Sequence, residues 1–110
     1  MGERIYVREI MNSPHEPELS VAICRVPAGV TTQLHSLSVL EWYIIESGGG
    51  LLEINGISTL MCVGDCVRIE PGQSQRITNT GEGDLIFKSI CRPRFTPDTY
   101  TNLEEQTHES

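Results

Sequence analysis

Between residues 20 and 92 the chain is a series of short runs in which apolar residues tend to recur at every second place: SVAICRV, EWYIIES, GLLEI, SQRITNT and LIFKSI. A period of two is that of a strand with one face buried. TTQLHS, STLMCV and CVRIE complete a set of eight predicted strands. Between the runs stand PAG, SGGG, NG, GD, PGQ and GEGD. Gly and Asn supply positive φ, and Pro fixes φ while removing a ladder donor, so these breaks are turns. Ile54-Asn55-Gly56-Ile57 carries the strongest hairpin signal, an Asn-Gly pair suited to a type I′ turn. No segment holds apolar residues at helical spacing over several turns. The pattern therefore predicts an all-β barrel or sandwich, an architecture that also protects strand edges. SPHEPEL reads as a loop. PRFTPDTYTNLEEQ, with two prolines, is expected to lie across the surface and to lead into a polar tail over about residues 96–110.

A length of 110 residues predicts a single domain over 1–110, large enough to bury a core without a second unit. Hydrophobic residues make up 38 % and charged residues 21 %, the balance of a globular protein, and no apolar run approaches the roughly 18 residues of a membrane span. The opening MGERIYVREI lacks the apolar core of a signal peptide, so a cytoplasmic location is expected. A net charge of −7 without a Lys/Arg cluster argues against nucleic acid as a partner. Of the four cysteines, Cys24, Cys62, Cys66 and Cys91, three sit within apolar runs where a reduced Cys packs as a small hydrophobe. Cys62-x3-Cys66 lacks the second pair that a structural zinc site needs.

Two spaced motifs add a family resemblance. Gly29-x5-His35-x-Leu37-x3-Glu41-x6-Gly48 resembles the first cupin motif, with Leu37 in place of its second histidine. Gly64-x5-Glu70-Pro71-Gly72-x2-Gln75-x3-Asn79 resembles the second, with Glu70 in a proline's place and Gln75 in the histidine's. The chain is also similar to a subgroup of one-domain cupins, through Gln75-Arg76-Ile77-Thr78-Asn79-Thr80-Gly81 and Cys91-Arg92-Pro93-Arg94-Phe95. The resemblance implies a double-stranded β-helix, a small jelly-roll barrel with an internal pocket, often homodimeric. Apolar strand faces too numerous for one small interior point to the same homodimer. A full cupin site offers three imidazoles and one carboxylate to a divalent metal; cupins include oxygenases, isomerases, lyases and sugar-binding regulators, so the fold selects no function.

Strand alternation points His35 and residue 37 the same way, and likewise Glu41, Tyr43 and Ile45. Three readings of this constellation stand open. His35, Glu41 and the amide oxygen of Gln75 could hold a divalent Mn, Fe, Ni or Zn ion completed by water. Alternatively, Leu37 fills the space of the lost ligand while Glu41 accepts hydrogen bonds from His35 and Gln75, a satisfied buried network. In the third reading His35 and Glu41 form an acid–base pair, with Tyr43 as the opposing acid, as His and Tyr are in metal-free sugar epimerases of the cupin family. The function expected is small-molecule binding, with enzymatic action on a small polar metabolite or, alternatively, non-catalytic ligand binding or sensing. Trp42 alternates away from Glu41, toward an outer layer or a dimer interface. His15 and His108 read as solvated.

Overall fold

The computed structural model describes residues 5–104. Ten strands follow one another: β1 (Tyr6–Met11), β2 (Ser20–Val26), β3 (His35–Leu37), β4 (Leu40–Ser47), β5 (Gly49–Ile54), β6 (Ile57–Cys62), β7 (Cys66–Ile69), β8 (Ser74–Asn79), β9 (Leu85–Arg92) and β10 (Tyr100–Asn102). One turn of 3-10 helix over Pro97–Thr99 precedes β10. The strands form two five-stranded antiparallel sheets, ordered β1-β2-β9-β4-β7 and β10-β3-β8-β5-β6. Packed face to face, they make the double-stranded β-helix that the motifs imply.

The alternation in the sequence is the alternation of burial. Along β4 the pattern places Glu41, Tyr43 and Ile45 inside and Trp42 and Ile44 outward; along β8 it buries Gln75, Ile77 and Asn79. Cys24, Val26, Ile45 and Phe87 of the first sheet interdigitate with Leu52, Met61 and Ile77 of the second. Asn55 and Gly56 both have positive φ, 51° and 82°, as the type I′ hairpin between β5 and β6 requires. Gly48, the last residue of the first motif, has a φ of 79° where the chain passes from one sheet to the other. A Cβ there would stand 2.7 Å from the Asp84 carbonyl oxygen, so only glycine fits.

The structure departs from the pattern at three places. β1 lies outside the eight predicted strands: it is an edge strand exposed over nearly its whole length, so it has no buried face to impose alternation. β10 arises within the segment expected to lie across the surface, because it pairs with β3. Of TTQLHS only its last two residues fall in a strand, since Thr31 makes an isolated bridge to Thr78 and Thr32 bonds Ile77 from a non-strand segment. All four cysteines are free thiols; Cys24 and Cys91 are buried as expected, whereas Cys62 and Cys66 flank the turn between β6 and β7 and are exposed. Trp42 faces outward and is only partly covered, with the Arg68 and Arg92 guanidinium groups 5.8 and 5.6 Å from its ring centre. His15 is exposed, and His108 lies outside the described residues.

Candidate functional site

Glu41 and Tyr43 reach the interior because they occupy alternate positions of β4. β9 runs beside β4 with Cys91 opposite Glu41 and Ser89 opposite Tyr43. From the facing sheet β8 presents Gln75, which is fully buried. The three strands together close one hydrogen-bonded chain. Tyr43 donates its hydroxyl to Gln75 Oε1 at 2.6 Å, Gln75 Nε2 donates to Glu41 Oε1 at 2.9 Å, and Ser89 Oγ donates to Glu41 Oε2. Glu41 is 4 % exposed and no cation touches it in this network. Burial therefore pushes its carboxyl up to about 7, against the pull of the hydrogen bonds from Ser89 and Gln75. The Tyr43 hydroxyl is raised well above its ordinary range by burial and by the neighbouring Glu41 charge, so it remains a donor.

His35 belongs to a second cluster. It lies directly opposite Gln75 in the β3–β8 register, but its Nδ1 donates to the Gln33 carbonyl at 2.7 Å and its ring stacks on Tyr100, with centroids 4.8 Å apart. Tyr100 in turn donates its hydroxyl to the Gln33 side chain at 2.6 Å. Burial lowers the His35 pKa, only partly offset by the Gln33 carbonyl and the Glu104 charge, so the imidazole is neutral and Nε2 carries the lone pair. The hydrogen bond expected from His35 to Glu41 is not formed: strand alternation brings both residues inside, but the Gln33 carbonyl takes the His35 proton.

Both clusters line one cavity of about 430 Å3. Glu41, Tyr43 and Ser89 are on one wall and Gln33, His35 and Tyr100 on the other, while Leu37, Cys24, Ala22 and Phe95 make much of the remainder apolar. Val7 and Glu9 of the exposed β1 form part of the rim. Three of these residues, Ser89, Gln33 and Tyr100, have no place in the sequence reading. Ser89 had a signal: Leu85, Phe87, Ser89 and Cys91 share one face, and a lone hydroxyl at an inward position asks for a partner. Gln33 stands two residues before His35 in TTQLHS, on the same face of that predicted strand, and Tyr100 had no signal, since it lies in no periodic run.

The divalent-ion reading meets this donor set as it stands. Leu37 fills the place of a second imidazole, both Glu41 oxygens accept hydrogen bonds, and the Gln75 oxygen is taken by Tyr43. Among the described residues no three His, Cys, Asp or Glu side chains gather as ligands would. The set fits a divalent ion poorly, because binding one would break the network that holds Gln75 and Glu41.

Residues 22–91 match the cupin domain, and the chain belongs to that family. Similar solved structures cover most of it. An uncharacterized conserved protein with a double-stranded β-helix domain from Klebsiella pneumoniae subsp. pneumoniae has a TM-score of 0.80 at 19 % identity, over 93 % of this chain and 86 % of that one. A predicted oxalate decarboxylase from Thermotoga maritima has a TM-score of 0.74 at 26 % identity, over 81 % and 80 %. KdgF from a Halomonas species has a TM-score of 0.76 at 16 % identity, over 86 % and 83 %.

Proposed function

We propose that the protein binds a small organic molecule in the cavity between its sheets and exchanges a proton with it through Glu41. One observation carries this: a buried carboxyl on the wall of a largely apolar cavity, both oxygens held by neutral donors, with a pKa of about 7. A general acid or base is most effective when its pKa lies near the working pH, and burial is the physical means of bringing a carboxyl there. Gln75 is a positioning residue, fixed by Tyr43 from behind. His35, neutral and with Nε2 as acceptor, offers a second group from the opposite wall. The acid–base reading of His35 and Glu41 is thus kept in altered form: the two act on a ligand between them and not as a bonded pair.

The likeness to a predicted oxalate decarboxylase does not extend to oxalate in this reading. Among the described residues no Lys or Arg lines the cavity, so a dianion would meet no counter-charge. A homodimer and a cytoplasmic location belong to the same proposal. The exposed β1 edge, with Tyr6, Val7 and Ile10 outward or at the rim, supports the former.

The test begins with a thermal-shift screen of small metabolites, with and without added Mn(II), Fe(II), Ni(II) and Zn(II). Each compound that binds is then incubated with the protein in deuterated water and followed by NMR. Deuterium entering a carbon-bound position of the ligand, lost in Glu41→Gln at ligand levels that restore occupancy, supports proton transfer. Binding without exchange gives the non-catalytic reading, which the hydrogen bond held by each Glu41 oxygen within the protein favours. Binding only when a metal is added would return the site to the divalent-ion reading.

A further inference from the structure

The charge of the cavity wall names a class of ligand. Among the described residues, every side chain of fixed charge sign that lines it is a carboxyl: Glu41 in the interior and Glu9 at the rim. Glu9 is tied to Asn12 Nδ2 at 2.7 Å, a neutral donor, and Glu41 to Gln75 and Ser89, also neutral. None of these three hydrogen bonds supplies positive charge, so an ionised Glu41 stands in a poorly solvated space without a counter-ion. A carboxylate has about four lone-pair sites, of which two are used here, leaving acceptor capacity toward the cavity. The rest of the wall suits an apolar body, with Leu37, Ala22 and Val21 and the aromatic side chains of Phe95 and Tyr100.

We propose that the ligand of this cavity is an organic monocation, an ammonium group on an apolar body, whose charge is seated at Glu41. This rests on the reading of the cavity as a ligand site and goes further by fixing the charge of what enters. An ammonium donates hydrogen bonds to a carboxylate that already accepts two, completing its coordination and neutralising it in one step. A carboxylate ligand would be repelled from both Glu41 and Glu9, and a neutral alcohol would gain the hydrogen bond without the charge.

Four of the other titratable groups facing the cavity stay neutral through the relevant range. Cys24 on β2 and Cys91 on β9 are pushed up to about 12, chiefly by burial. Tyr43 on β4 is raised well above its usual range, and His35 on β3 is lowered, both chiefly by burial. Glu9 on β1 is exposed at the rim, and Tyr100 on β10 donates its hydroxyl to Gln33. Ionisation of Glu41 is therefore the event that ammonium binding draws on. Binding of the cation should strengthen as pH rises toward the Glu41 pKa and then level off.

Three probes with one body separate the charge from the shape: 4-phenylbutylamine, 4-phenylbutan-1-ol and 4-phenylbutanoate, titrated calorimetrically into the full chain. At a pH near 8 the amine is expected to bind about tenfold or more tightly than the alcohol, with the acid weakest. The amine's affinity should fall on lowering the pH from about 8 to about 5.5 while the alcohol's stays level, a readout that needs no variant. Glu41→Gln should bring the amine down to the alcohol, and Glu9→Gln should leave their order unchanged. If amine and alcohol bind equally, or the acid binds best, the cation is overturned while the cavity remains a ligand site. If none of the three binds, both readings fall.

Discussion

The two ends of the barrel are built from the same strands, two positions apart. At one end Ile45 of β4, Phe87 of β9 and Ile77 of β8 face one another and fill the space between the sheets. Two residues along β8 and β9, and four along β4, stand Gln75, Ser89 and Glu41, and there the sheets enclose a cavity. The β4–β9 ladder runs unbroken from Leu40 to Ile45 and shifts register only beyond it, and the β5–β8 ladder runs from Gly50 to Ile54, so the contrast between Glu41, Ser89 and Gln75 and their apolar counterparts is one of side chains on shared ladders. Apolar side chains interdigitate and exclude voids; hydrogen-bonded polar ones must keep their partners at fixed distances and cannot collapse to fill space. A single scaffold thus supplies a rigid end that carries stability and an open end free to hold a ligand.

The largest test of this contrast is at the filled end. Phe87→Ala removes a ring 1 % exposed and in contact with Tyr43, and should cost about 3–5 kcal/mol in urea or guanidinium unfolding. A loss below about 1 kcal/mol would mean that this end is no better packed than the other.

Next in size is the pH dependence carried by Glu41. Its pKa is about 7 folded and 4.5 by ordinary standards, so between these values the folded chain keeps a proton that the unfolded chain has released. Its contribution to stability is fully present below the ordinary carboxyl range and is lost as pH rises through about 7, a change on the order of 3 kcal/mol. Denaturant midpoints across this range should fall with rising pH in the natural protein and lose that slope in Glu41→Gln.

Gln75→Leu makes the open end resemble the filled one and is the smallest of the three effects. It strands the Tyr43 hydroxyl and one Glu41 oxygen, at a cost of about 1–3 kcal/mol. It also removes a hydrogen bond that favours the ionised carboxylate, so the Glu41 pKa should move further up, a shift measurable by carboxyl 13C NMR.

Where a strand has one buried face, the sequence spells it out. β2 appears with the bounds predicted, and β4 and β8 follow the inward positions of Glu41, Tyr43 and Gln75. β1 and β10 were not legible because their pairing is decided by distant partners: β1 rests on β2 with both faces largely exposed, and β10 on three residues of β3. The same limit divides the site. The Glu41 wall follows from alternation and includes Ser89 once the face of β9 is counted. The bond partner of His35 does not, because Gln33 and Tyr100 come from segments whose course depends on tertiary contacts.

Trp42 is the chain's one tryptophan, and its place on the outer side of β4 separates two optical signals. Its indole lies between two guanidinium groups on the strands flanking β4, so its emission reports whether that part of the first sheet is assembled. The cavity, on the opposite side of the same strand, is bordered instead by the phenols of Tyr43 and Tyr100. Tryptophan fluorescence therefore follows unfolding with little interference from an occupant, while tyrosine absorbance follows occupancy, and a single sample distinguishes a compound that fills the barrel from one that loosens it.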